Sequence, residues 1–165
     1  LINYALDIIS TIVNEKIVVV SSKVQAENYA KITASDVNVI IDAEDMHGPL
    51  VGALTGFNMA HGEFSLLLPC DTPFLSKDVL SLLFDLCMNR FAVIPRWPNG
   101  YIEPLQAVYG EGKLNMRSMV DKLHGIRYVS TLVLKQLDPE LRTFFNINTP
   151  MDLKRAELMR KSKKK

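Results

Sequence analysis

Asp71 stands in the segment Leu68-Pro-Cys-Asp-Thr-Pro-Phe74, at the end of an apolar run that begins at Phe64. Pro69 and Pro73 on either side fix φ and remove backbone donors, so this carboxylate is stiffly mounted. At a strand end such a group can coordinate Mg²⁺, which takes oxygen ligands and keeps waters for a phosphate substrate. It can equally cap its own backbone in an Asx-turn. A second candidate joins Asp42 to His47-Gly-Pro-Leu-Val-Gly52. Gly48 lets the backbone turn or approach a ligand, and Pro49 suits the first position of a helix. With Leu50 and Gly52 they could hold a base edge or phosphate on backbone N–H groups, or form a plain β–α connection. Asn146 and Asn148 form a third candidate, because alternate residues of an extended segment share a side. Asn148 or Thr149 could instead cap a helix opening at Pro150. Arg96 could grip a phosphate as a bidentate donor, with Trp97 or Tyr101 offering an aromatic face, or the whole stretch could be a surface loop. His47, His61 and His124 show no ligand pairing, and neither a Ser/His/Asp arrangement nor a Walker lysine motif is visible.

The elements that must carry these residues alternate. Helical spacing of Tyr4, Ala5, Ile8, Ile9 and Ile12 predicts a helix over 2–13. Strands are expected at 16–20, 37–41, 64–68 and 91–95, then irregularly at 103–109, and at 127–129 and 144–147. Helices are expected at 24–32, 49–60, 76–88 (capped by Ser76), 112–123 and 130–136, and from Pro150 onward. The apolar run at 64–68 predicts a strand buried on both faces. Such alternation implies an α/β fold with a mainly parallel sheet covered by helices on both faces. Ligands then bind beyond the C-terminal ends of the strands. That rule gathers Ser21-Ser22, Asp42 to Asp45, Cys70-Asp71-Thr72 and Asn146 to Asn148 on one rim.

The 165 residues fit one domain, taken as 1–158, followed by a basic tail at 159–165. A formal net charge of +1 gives no global field toward nucleic acid or an anionic membrane. Two cysteines without metal spacing make a disulfide framework unexpected and point to a reducing cytoplasm. No stretch is apolar for long enough to cross a bilayer, and the N-terminus lacks a signal-peptide n-region.

Five blocks together resemble the molybdenum cofactor guanylyltransferases, the MobA-like nucleotidyltransferases. They are Val37 to Asp42, Gly48-Pro-Leu-Val-Gly52, Leu68-Pro-Cys-Asp-Thr-Pro-Phe74, Glu103-Pro-Leu-Gln-Ala-Val-Tyr109 and Phe145-Asn-Ile-Asn-Thr-Pro150. The resemblance implies a Rossmann-like three-layer α/β/α fold and transfer of GMP from GTP to molybdopterin, with Mg²⁺ and release of pyrophosphate. It implies Asp71 as the metal-binding and catalytic aspartate. Ser21, Asp42, Gly48, Pro49, Leu50 and Gly52 would line the nucleotide side, although relatives often carry asparagine where Ser21 stands. Asn146 and Asn148, with Arg96, would line the acceptor side. Relatives open with a strand and a glycine-rich loop of the type LAGGxSxRMGxxK that holds the triphosphate, and nothing in the 165 residues resembles it. The resemblance therefore implies a first strand that is absent, weak GTP binding, no measurable transfer by these residues alone, and marginal stability or self-association through exposed strand edges. Transfer of a cytidylyl group, or non-catalytic molybdopterin binding with hand-over to a carrier or acceptor protein, are the rival readings.

Overall fold

The computed structural model describes residues 2–42, 48–110 and 125–162. The helix expected over 112–123, together with Asp45, His47 and His124, lies outside them. In chain order the elements are α1 (Ile2–Ile9), β1 (Lys16–Val20), α2 (Lys23–Ile32), β2 (Val37–Ile41), α3 (Pro49–Met59), β3 (Phe64–Leu67), α4 (Lys77–Cys87), β4 (Ala92–Arg96), β5 (Ala107–Gly110), β6 (Ile126–Ser130), α5 (Thr131–Leu134), a 3₁₀ turn (Arg142–Phe144) and α6 (Pro150–Ser162). The last helix runs past residue 158, where the basic tail was placed.

The strands form two ladders. β1 and β2 pair in parallel from Lys16 opposite Val37 to Val20 opposite Ile41. The other four follow the order β3-β5-β4-β6, with β5 antiparallel to both neighbours and β4 parallel to β6. β5 arrives after the polar loop 97–106, so it enters the sheet against the common direction.

Helices cover both faces of the four-stranded ladder, and strand alternation shows it. Val93 and Val108 face Val79, Leu83 and Cys87 of α4, whereas Ala92, Ile94, Ala107 and Tyr109 face Ala53 and Phe57 of α3. Phe57 and Tyr109 pack ring against ring at 5.1 Å. Burial pushes the Tyr109 phenol up to about 12, and its hydroxyl donates to the Pro104 carbonyl at 2.7 Å. A third cluster sets Ala5 of α1 against Leu75 and Leu80, with Leu66 and Leu68 alongside.

α3 also reaches the first ladder. A side chain at Gly56 would meet Val19 of β1 at 3.4 Å, so a small residue lets the helix lie close. Between the ladders is a cleft of about 1380 Å³ lined by β1, β3, α1 and α3. The Glu15 carboxylate accepts the His61 backbone N–H at 2.9 Å and meets His61 Nδ1 at 2.9 Å, tying the entry of β1 to the entry of β3. Among the described residues β1 pairs only with β2, and β3 only with β5. β3 is therefore half-buried at every residue rather than covered on both faces, because one of its flanks opens on the cleft. The strands with continuous burial are β4 and β5.

One expected strand is missing. Residues 144–147 do not pair in a ladder: Arg142–Phe144 is a 3₁₀ turn entered through Leu141 at φ 51°, and the chain then runs extended to α6. It is tied to the loop after β3 by the Ile147 N–H, which donates to the Asp71 carbonyl at 3.0 Å.

Candidate active site

Asp71 is reached through Leu68 and Pro69 beyond the end of β3. The loop is locked from inside: the Thr72 hydroxyl, 1% exposed, donates to the Pro69 carbonyl at 3.0 Å. The Asp71 carbonyl takes the Ile147 N–H, so its backbone is held from both sides of the rim. The side chain is different. Asp71 Oδ1 is buried and has no hydrogen-bond partner. An Asx-turn would have satisfied that oxygen, so the local capping role is not the one adopted. A buried carboxylate oxygen without a partner carries a desolvation cost that a cation removes. Among the described residues no three His, Cys, Asp or Glu groups converge as a metal cluster. A single carboxylate is what a Mg²⁺ ion held mainly by phosphate oxygens and water requires. The Asp71 carboxylate therefore fits such an ion.

Asp42 continues the β1–β2 ladder by donating its backbone N–H to the Val20 carbonyl at 2.7 Å. Its Oδ1 accepts the Thr55 hydroxyl of α3 at 2.6 Å, which pins the carboxylate against that helix. Oδ2 lies beside Gly52, where a Cβ would come to 3.8 Å. Gly48 caps α3 with φ 150°, a conformation that strains L residues, and no side chain caps the helix there. Pro49 occupies the first helical turn, as proline pre-organised at φ near −65° favours. Gly48, Pro49 and Gly52 line the cleft with Asp42, whereas Leu50 points outward at 59% exposure.

Ser21 also lines the cleft, but its N–H and hydroxyl both donate to Gln25 Oε1, at 3.0 and 2.9 Å. Gln25 sits on the first turn of α2, whose N-cap is Ser22, so Ser21 is engaged by local helix capping. Asn146 lines the cleft with Asp71. Asn148 does not, because without a ladder the strand alternation expected of 146 and 148 has nothing to enforce it. The Asn148 N–H instead donates to Asp152 Oδ2 at 3.2 Å. Thr149 and Asp152 form a reciprocal cap: Thr149 Oγ1 accepts the Asp152 N–H at 3.1 Å, and Asp152 Oδ2 accepts the Thr149 N–H at 2.9 Å. The Thr149 hydroxyl beside Asp152 holds that carboxyl below its ordinary value, helped by the Thr149 and Asn148 N–H groups and by Arg155.

Arg96 leaves the cleft altogether. It ends β4 and lies over the Tyr128 ring of β6 at 5.7 Å. The rest of that proline-rich segment turns back through Gly100, at φ 90°, and places Tyr101 and Glu103 in the cleft wall. Glu103 was not singled out from the sequence as a site residue. The available signal was its likeness to Asp71, an acid beside a proline in a stretch too polar for core.

A family profile described as "MobA-like NTP transferase domain" matches residues 1–138. A protein of Methanocaldococcus jannaschii named "Probable molybdenum cofactor guanylyltransferase" is 33% identical over 170 residues, covering 93% of this chain and 83% of its own length. One of the same name from Methanosarcina mazei is 32% identical over 135 residues, covering 74% of this chain and 60% of its own length. Among solved structures, the molybdopterin-guanine dinucleotide biosynthesis protein A of Archaeoglobus fulgidus superposes with a TM-score of 0.76 at 27% identity, over 98% of this chain and 85% of that one. With the profile spanning most of the chain and the fold shared along nearly all of it, this protein belongs to the MobA-like NTP transferase family.

Proposed function

We propose that the cleft binds GTP and molybdopterin and transfers GMP between them, as a molybdenum cofactor guanylyltransferase. The observation that carries this reading is the partnerless, buried Oδ1 of Asp71 in the wall of a cleft that also presents Asp42, Gly48, Pro49 and Asn146.

In the reaction a phosphate oxygen of the acceptor forms a bond to the α-phosphorus of GTP, and the bond from that phosphorus to the departing pyrophosphate breaks. Bound Mg²⁺ would neutralise charge around the α-phosphate. Asp71 holds its carboxylate ready in a loop that the Thr72–Pro69 and Ile147–Asp71 hydrogen bonds have already fixed, so little reorganisation accompanies binding. Asp42 offers Oδ2 as an acceptor to a base edge rich in N–H groups, which guanine has. In the first turn of α3 the Val51 and Gly52 N–H groups donate to the Gly48 carbonyl at 3.1 and 3.2 Å and Pro49 has none, so the Leu50 N–H is the donor left there for a ligand. Aligning two polyanions is the larger part of the chemistry, since phosphoryl transfer needs positioning and charge stabilisation more than covalent help.

The test is pyrophosphate release from GTP with molybdopterin, using the chain extended at its N-terminus by a glycine-rich nucleotide loop. Asp71→Asn in that background should lower turnover about a hundredfold, equivalent to ~3 kcal/mol, with the melting temperature held or raised. Full turnover in the variant would take Asp71 out of the mechanism. No release from the extended parent chain would defeat the functional reading itself.

A further inference from the structure

We infer that Glu103 recognises the heterocycle of the acceptor, its carboxylate taking the N–H edge of a 2-amino-4-oxo ring in the part of the cleft shared with Tyr101 and Asn146. The inference rests on the proposed function and extends it to a residue to which no role has been assigned.

Glu103 is half-buried and has no cationic partner among the described residues. Its one side-chain hydrogen bond is neutral: the Trp97 indole N–H donates to Oε1 at 2.7 Å. Burial pushes the carboxyl upward, and the indole offsets that only in part. A carboxylate kept in such a place is a functional-site candidate, because structure alone gains little from it.

The surroundings hold the group still. Trp97 packs edge-on against Phe144 with ring centroids 5.8 Å apart. The backbone N–H of Trp97 donates to the Tyr101 carbonyl at 2.7 Å, and the backbone N–H of Glu103 donates to the Pro95 carbonyl at 2.9 Å. Pro104 follows and limits the backbone further. With Oε1 occupied by the indole, Oε2 has no protein partner among the described residues and belongs to a side chain in the cleft wall. A fixed carboxylate whose second oxygen is left for a ligand is a pre-organised acceptor.

The chemistry selects the ligand class. A 2-amino-4-oxo pyrimidine ring places an N–H and an adjacent amino group on one edge, matching a carboxylate that only accepts. Pterins and guanine both carry that edge. Position favours the pterin, since Trp97, which holds Glu103, packs on Phe144 two residues before Asn146, whereas Asp42 is held by Thr55 of α3.

The experiment is a fluorescence titration of the 165-residue chain with pterin and with lumazine, which has an oxo group in place of the 2-amino group. The unsubstituted chain should prefer pterin by about tenfold or more, the scale of a hydrogen bond to a charged acceptor. Glu103→Gln, whose amide oxygen can still accept from the indole, should lose that preference and leave GTP binding by the N-terminally extended chain unchanged. Trp97→Phe keeps the packing on Phe144 but drops the N–H, and should reduce the preference several-fold. Preference retained in Glu103→Gln, or absent from the unsubstituted chain, would overturn the inference. A fall in GTP affinity with pterin binding intact would assign the carboxylate to guanine and overturn it equally. Pyrophosphate release by the extended chain is independent of these titrations, so its presence with a failed titration removes only the role of Glu103.

Discussion

The two ladders of this molecule are made of similar residues and are buried very differently. β4 and β5 carry Ala92, Val93, Ala107 and Val108 at 0% exposure, with α3 and α4 closing both faces. In β1 only Val20 is buried, and β2 has half-buried and exposed positions but no buried one. The difference lies in what stands beside each strand: β4 has a partner on either side, whereas β1 has a partner on one side and the cleft on the other. Burial is concentrated in the four-stranded half, and residues of both halves line the cleft.

The largest effect that could break this comparison is at Leu83, which α4 buries to 1% in the main cluster. Leu83→Ala should cost about 2–5 kcal/mol by urea denaturation, since it removes apolar area and leaves a cavity. Val39→Ala on the half-buried β2 should cost roughly 1 kcal/mol or less. Equal costs would mean that the two halves share one core after all.

Next in size is association through the cleft flanks of β1 and β3. An unpaired strand edge is a template for another chain, so sedimentation of the 165 residues should show dimers and larger species growing with concentration. A lysine in an edge strand opposes such pairing, and Val18→Lys should shift the distribution toward monomer. A monodisperse monomer at all concentrations would show that neither flank is available.

The smallest effect belongs to the junction where the chain leaves the acceptor side for α6. Thr149→Ala removes a capping hydroxyl and should cost about 1 kcal/mol, or some 2–4 °C in a domain of this size. The partner in that cap is Asp152, whose folded pKa is depressed by the Thr149 hydroxyl first of all. Its contribution is therefore present above the ordinary carboxylate value and lost as pH falls through the depressed one. A melting curve against pH should be steeper on the acid side for the parent chain than for Thr149→Ala. An unchanged acid limb would mean that the cap does not persist in solution.

Local pattern alone located β1, β2, α3 and α4 closely, because β-branched runs, Pro49 at a helix start and Ser76 at an N-cap act over a few residues. It also marked Asp71, since the two prolines that stiffen it are its sequence neighbours. It missed at 144–147, where extended residues lack the ladder that would have made them a strand, and at Asn148, whose direction followed that error. Arg96 looked like a phosphate grip, yet it lies over the Tyr128 ring, a diagonal contact invisible until β4 and β6 pair.

Residue type and short-range spacing were thus enough to determine the alternation of helices and strands, the family resemblance, and the acids that deserved testing. Tertiary structure alone decided that Asp71 Oδ1 has no partner, that Trp97 holds Glu103, and that Gly48, Gly52, Glu103 and Asn146 line the cleft while Leu50, Arg96 and Asn148 do not. The physical reason is range. Propensity and capping are settled within one or two helical turns, whereas burial and desolvation depend on contacts between residues far apart in the chain, such as Asp71 with Ile147 and Gln106 with Thr143.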